Sequence, residues 1–465
     1  MAGFMSLLDV SIVNVALPSL QHSLGASMAQ VQWVVSGYAL AFGLALVAGG
    51  RLGDALGRRR MFLVALTGFV LTSALCGAAP SVEWLVVARL LQGVTAGMLT
   101  PQNSGLIQVL FRGAERGRAF GIFGATMGLS TAVGPVLGGV ILAAAGEQEG
   151  WRWVFTVNVP IGLIALVAAW RLVPSRQRTG QPVLAQLDVI GTLLLGAGLL
   201  CLLLPLVQVD SGGGLWWLCG PASVLIALFL RWERLLVRRH RAPLLDTQLL
   251  SATPGYPAGA ALGLVYFVGF NGVWLVFALY FQRGLGYTPL QSGLAVTSFA
   301  LGSAVSAVVA GRLVTRYGRW LTVVGLSGTA VGLAATAVVL YAVPAVWEGW
   351  AVALPLLVAG IGGGAVISPN VTLTLERVPP RMGGAAAGVL QTGQRIGSAI
   401  GTATLAAVFS SVLAHSGHYQ NAIAAAVLTG TGFVCLALLV AVLELRAGRH
   451  RVFRSAPEQA GVRRA

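Results

Sequence analysis

One carboxyl, Asp9, stands within the apolar run LLDVSIVNVALP, and one guanidinium, Arg89, within LVVARLLQG. A charge at the centre of a bilayer costs about 3 kcal/mol on insertion scales, so each must face a cavity or a partner. A carboxyl that is protonated in one state and ionised in another is what proton coupling needs. At 1.5 Å of rise per residue, Arg89 lies roughly 8 Å and Asp9 roughly 13 Å from the same membrane surface, so a direct or water-bridged pair is within reach. Proton relay and static pairing are both open readings of these two residues. Asn14 follows Asp9 by about a turn and a half, where it could meet a ligand. Arg395 lies about a dozen residues, roughly 17 Å, into a later apolar segment, with Gln391 and Gln394 nearby. Buried, it favours anionic or neutral ligands or pairs with Asp9; if its helix starts later, it snorkels to the interface.

Three further constellations are built for shape and charge. Residues Gly50 to Arg60 read GRLGDALGRRR, a Gly-framed turn with Asp54, Arg51, Arg58, Arg59 and Arg60 between apolar stretches. Such a segment is a tight loop on the arginine-rich side of a membrane. Asp54 there is placed to cap the exposed N–H groups of the third span and to meet its positive dipole end. Gly124, Gly128, Gly134, Gly138 and Gly139 surround Pro135. Glycines four apart admit a neighbouring backbone, and the proline bends its helix. Tyr266, Phe270, Trp274 and Phe277 share one helical face with Asn271 beside them, an aromatic wall suited to bulky amphipathic ligands. Tyr280 and Phe281 on the same segment read as lipid-facing or interfacial anchors. Trp33 and Tyr38 are similar candidates for the cavity.

The elements that position these residues are membrane spans. Of 465 residues 56% are hydrophobic and 9% charged, with mean hydropathy +0.82, against roughly 25% charged in soluble domains. About 20 apolar residues make a span. Fourteen segments qualify, beginning near Ala2, Val31, Met61, Trp84, Ala119, Trp151, Val189, Leu215, Ala258, Leu290, Leu321, Trp350, Gly384 and Ala422. The first runs only to about Pro18, roughly 27 Å, with no basic lead-in and no cleavage site, which suggests a start further upstream. All thirty basic residues are arginine. They fall in alternate loops, so the net charge of +16 reads as positive-inside topology with both termini cytoplasmic, and nucleic-acid binding is set aside. The opposite loops carry Glu83, Glu147, Glu149, Asp210, Arg283, Glu348, His415 and His418. Asp188 reads as a helix N-cap, while Glu376, Arg377 and Glu444 read as charges at span ends.

The hairpin returns as GRLVTRYGRW at Gly311, 261 residues after Gly50, with Thr315 where Asp54 stands. TPQN at Thr100 and SPN at Ser368 form a second pair of anchors, and Gly117, Gly121 and Gly134 against Gly384, Gly388 and Gly401 a third. Two six-span halves follow, residues 1–175 and 255–446, with two extra spans and linkers over 176–254 and a cytoplasmic tail over 447–465. Such duplication puts the ligand between the halves near mid-membrane.

The chain resembles the major facilitator superfamily, specifically the fourteen-span drug:proton antiporter group of EmrB/QacA type. LDVSIVNVALP, GRLGDALGRRR, RLLQGVTAG, GLSTAVGPVLGG and WRWVFTVNVPIG resemble its motifs of spans 1, 2–3, 4, 5 and 6, in that order. The resemblance implies an all-α fold of about 14 helices as 6+2+6. It also implies that Asp9 and Arg89 couple protons and that Gly50, Asp54, Gly57, Arg58 and Arg59 form a gating hairpin. Gly128, Gly134, Pro135, Gly138 and Gly139 would be the antiporter motif. The cavity residues expected are Asn14, Trp33, Tyr38, Gln92, Tyr266, Phe270, Asn271, Trp274, Gln391 and Arg395. The expected activity is export of hydrophobic or amphipathic compounds from a bacterial inner membrane, by a single chain in contact with lipid, driven by the proton gradient without a cofactor. A proton symporter or nutrient carrier of the same fold, or a non-transporting sensor, are the alternatives. No GxxxxGK[ST], HExxH or metal-spaced cysteine set is present, so no nucleotide-driven pump, catalytic site or metal site is expected.

Overall fold

The computed structural model describes residues 1–146, 148–174, 188–207, 214–239, 253–379 and 382–461. The expected loop charges Glu147 and Asp210 and much of the linkers lie outside them. So do the side chains of Pro135 and of the tail from residue 447.

The described chain is helical, as lipid demands: only a helix or a closed barrel satisfies every backbone polar group within its own segment. Spans 1 to 5 are Ala2–Leu24, Met28–Leu56, Arg58–Gly77, Val82–Leu110 and Gly113–Ala145. Span 6 is Gly150–Thr156 continued by Asn158–Leu172. Spans 7 and 8 are Val189–Val207 and a 3₁₀ turn, Leu215–Leu218, running into Cys219–Arg238. Span 9 is Tyr256–Leu279 with a π turn at Tyr280–Gly284. Span 10 is Pro289–Ala295 and Thr297–Tyr317, and span 11 is Arg319–Ala342. Span 12 is Ala345–Ala351 and Ala353–Leu375; span 13 is Gly383–Ser416; span 14 begins the helix Tyr419–Gly461. Among the described residues twelve helices are long and apolar enough to cross a membrane, and shorter apolar stretches at Val136–Ala145 and Ile190–Pro205 supply spans 5 and 7. The helix starts lie within a few residues of the expected ones. Span 1 differs at its far end: the helix continues through Pro18 to Leu24 before Gly25 turns it off in the left-handed region at φ 59°.

Local chemistry sets the boundaries. Ser27 and Gln30 make a reciprocal capping box at span 2, and Thr288 and Gln291 repeat it at span 10. Asp188 caps span 7, accepting from Gly191 N–H at 2.9 Å, and also accepts from Trp232 Nε1 at 2.9 Å. Both arginine hairpins turn on a positive-φ glycine, Gly57 at 95° and Gly318 at 52°, which a residue with a Cβ adopts at a cost.

The first six spans pack together around Leu8, Leu46, Leu66, Phe69 and Leu85, and the last six around Leu262, Phe277, Leu326, Leu356 and Val427. The two sets touch where span 2 crosses span 13 and where span 5 crosses span 10. Small residues allow both crossings. Gly50 lies against the carbonyl of Gly384, and Gly117 against that of Gly311. All four glycines lie at the ends near the arginine hairpins, so the bundle is clasped on the hairpin side.

Candidate functional site

Asp9 is 0% and Arg89 1% exposed. Arg89 Nη1 donates to Asp9 Oδ2 at 2.6 Å and to Gln92 Oε1 at 2.7 Å, and its Nε donates to the Val34 carbonyl at 3.0 Å. Asp9 Oδ1 accepts from Gln92 Nε2 at 3.1 Å and from Asn158 Nδ2 at 2.9 Å. Gln92 Nε2 also donates to Ser73 Oγ at 2.7 Å, and the Cys76 thiol donates to Gln92 Oε1 at 3.4 Å. Spans 1, 2, 3, 4 and 6 thus each contribute a group to one polar island. Stripping water from two charges is repaid only when hydrogen bonds fill their remaining sites, and here they do. The Tyr38 ring lies 4.0 Å from the Arg89 guanidinium carbon, adding a cation–π contact on its face.

Gln92 and Tyr38, expected in the cavity, belong to this island instead. Asn158 and Ser73 are members that sequence reasoning missed; for Asn158, an amide inside TVNVPIG was the available signal.

A cavity of about 210 Å³ lies between the two sets of six spans, lined by spans 1, 2, 4, 5, 9, 10, 12 and 13. Phe270, Asn271, Trp274, Gln391 and Arg395 line it as expected, joined by Phe267 and Phe299. The cavity-facing residues of span 9 are therefore 267, 270, 271 and 274, with Phe267 in the place expected for Tyr266. Tyr266 is turned into the core, 1% exposed, with its ring stacked 5.1 Å from Phe270. Phe277 is buried as well, and Tyr280 and Phe281 are core rather than lipid-facing. Tyr280 donates its hydroxyl to Glu348, which is buried and also accepts from Gln420 Nε2 at 3.0 Å. Asn14 is exposed and Trp33 half-buried, and neither lines the cavity. Arg395 does not meet Asp9: its guanidinium carbon lies 4.2 Å over the Phe42 ring, and Phe42 sits 6.0 Å from Tyr38. Two rings therefore separate the cavity cation from the buried pair.

Below the cavity, on the hairpin side, Asp54 binds Arg58 at 2.8 Å and accepts from Gly384 N–H at 3.1 Å and Ala385 N–H at 2.9 Å. It caps a helix, but span 13 rather than span 3. Arg58 also donates to the Gly105 carbonyl, and Arg59 to that of Trp170 at 2.6 Å. Gln108 Nε2 reaches the Leu375 carbonyl at 2.8 Å, and Gln391 Nε2 reaches Ser104 Oγ at 3.2 Å. Arg319, the hairpin counterpart of Arg58, holds Asn370 Oδ1 at 2.6 Å and Glu444 at 2.9 Å, so Glu444 is an ion-pair partner rather than a loop charge.

On span 5, Gly134 and Gly138 pack against Ser11 and Ile12 of span 1, Gly128 lines the cavity, and Gly139 faces open space. The Pro135 side chain lies outside the described residues.

A clasped pair of six-helix sets around a central cavity, with a buried ion pair beside it, is the architecture of a membrane transporter. The family model of the Major Facilitator Superfamily matches residues 1–402 and again 259–463, and the chain belongs to that superfamily. It is 38% identical over 452 residues to the puromycin resistance protein pur8 of Streptomyces alboniger, covering 96% of this chain and 88% of that one. It is 36% identical over 417 residues to a probable actinorhodin transporter of Streptomyces coelicolor, covering 89% and 71%. The tetracenomycin C resistance and export protein of Streptomyces glaucescens is 32% identical over 408 residues, with 87% and 73% covered. These relatives place the chain in the fourteen-span drug-efflux group. Among solved structures, a proton:xylose symporter superposes with TM-score 0.67 at 16% identity over 96% of this chain and 93% of that one. The human organic anion transporter MFSD10 gives 0.63 at 16% over 95% and 98%. At that identity they share the fold alone.

Proposed function

We propose that the protein is a proton-driven antiporter exporting hydrophobic or amphipathic compounds, an antibiotic or other drug-like molecule by analogy with its relatives. The observation that carries this reading is the buried Asp9–Arg89 pair beside an aromatic cavity. Protonating Asp9 removes the charge that Arg89 binds. The freed guanidinium keeps Gln92 and the Val34 carbonyl as acceptors, so a second arrangement is open to it once Asp9 is neutral. The Asp54 clasp then opens and closes the hairpin side as the two six-span halves, 1–175 and 255–446, rock about the cavity. Residues 176–254 form an insertion between the halves. By the positive-inside rule the hairpin side is the cytoplasm, both termini face it, and the membrane is the bacterial inner membrane. One chain carries the whole site.

Proteoliposomes with an entrapped pH dye and an acidic lumen test this. Adding a panel of hydrophobic drugs outside should release protons from the wild type and not from Asp9→Asn. Protons and compound moving in the same direction would make the protein a symporter. Folded protein that moves nothing across the panel would leave the sensor reading.

A further inference from the structure

The cavity wall is chemically one-sided. Among the described residues that line it, Arg395 is the one charged side chain, and no aspartate or glutamate accompanies it. Arg89 has a carboxylate, an amide and a carbonyl as acceptors, whereas Arg395 has a ring beneath it and neither a hydrogen-bond acceptor nor a carboxylate among the described residues. A guanidinium carries five N–H donors in a planar fork shaped for a carboxylate. Gln391 and Gln394 of the same span line the cavity with it, as do Phe267, Phe270 and Trp274 of span 9.

We infer that this cavity takes aromatic compounds bearing an anionic oxygen, a carboxylate or an ionised phenol, with the anion on Arg395 and the rings against the span 9 wall. The inference rests on the transport reading of the same cavity. A bound anion supplies the counter-charge the wall lacks, at a site where Coulomb attraction is weakly screened. A cationic ligand would instead face Arg395 with no acid nearby to offset the repulsion. Aromatic faces hold planar rings by offset or edge-to-face contact without regard to charge, so the guanidinium sets the preference among ligands of one shape.

Three probes of nearly equal shape separate these terms: 2-naphthoate, its neutral methyl ester, and 2-naphthylmethylammonium. Each is titrated calorimetrically into purified protein in nanodiscs at low ionic strength, with wild type, Arg395→Gln and Arg395→Lys. Wild type should bind the naphthoate about tenfold or more tighter than the ester, and the ammonium weakest. Arg395→Gln should erase that preference while holding the ester within about twofold, which also shows that the variant is folded; Arg395→Lys should keep part of it. Binding of the ammonium as tightly as the naphthoate, an unchanged preference in Arg395→Gln, or binding of none of the three would overturn the inference. Because this experiment reads binding alone, its failure leaves the antiport reading standing. The absence of any substrate-evoked proton movement would remove the antiport reading instead.

Discussion

Asp54 accepts a 2.9 Å hydrogen bond from the backbone N–H of Ala385, a residue 331 positions further along the chain. The carboxyl is 2% exposed and lies 2.8 Å from Arg58, so an acid sits on the positive end of span 13 beside a group of opposite charge. The contact joins the two sets of spans on the hairpin side, as a latch in the proposed rocking motion would.

Removing the latch should open the hairpin side more often. Losing a helix N-cap costs about 0.5–2 kcal/mol, and one or two kcal/mol moves a two-state ratio by about 5–30-fold. In Asp54→Ala, hydrogen exchange at the amides of residues 384–386 should accelerate by that factor, while amides in span 11 keep wild-type rates. Unchanged exchange at 384–386 would mean that the clasp does not depend on Asp54.

Gly50 should be the least replaceable residue of the hairpin. A Cβ there would run into the Gly384 carbonyl, which is backbone and cannot step aside. Gly50→Val should leave the halves folded but unable to meet, with transport lost and the 384–386 amides exchanging fast. Gly139→Ala is the contrast within the glycine-rich span 5. Nothing lies within 4 Å of its Cβ position, and alanine favours the helix by about 1 kcal/mol, so this variant should transport normally.

The buried pair should show the asymmetry of buried ion pairs. Asp9→Asn leaves Arg89 charged in the bundle, and breaking such a pair costs about 3–5 kcal/mol. Thermal stability should fall in this variant and recover in Asp9→Asn with Arg89→Gln, where both charges are gone. Proton release should be lost in both. Proton release restored in the double variant would show that the pair is a structural tie and that protons travel elsewhere.

Spans and pair were legible because hydrocarbon punishes exceptions: a charge inside an apolar run announces itself, and Asp9 and Arg89 did so at matching depth. The contacts of Asp54 were not legible in the same way. Its residue type signals capping, but which helix it caps depends on how two distant halves dock. On span 9, Phe267 rather than Tyr266 faces the cavity: the two are adjacent rings, and periodicity does not say which of them turns inward. Glu348 and Glu444 lie near span ends, where hydropathy marks them as loop charges. Packing against Tyr280 and Gln420 in one case, and Arg319 in the other, turned them inward.

Glu348 is a fully buried acid whose partner chemistry differs from that of Asp9. It is 0% exposed and receives the Tyr280 hydroxyl and the Gln420 amide, with no cation in ion-pair contact among the described residues. Hydroxyl and amide donors tie spans 9, 12 and 14 together, and a structural tie in the second half is the expected role of Glu348. Tyr280→Phe removes one donor and leaves a buried acceptor short of a partner, a loss of about 1–3 kcal/mol. The variant should melt at a lower temperature yet release as many protons per substrate as the wild type. A changed proton count in Tyr280→Phe or Glu348→Gln, measured in the same dye-loaded vesicles, would instead make Glu348 a second proton carrier and move part of the coupling into the second half.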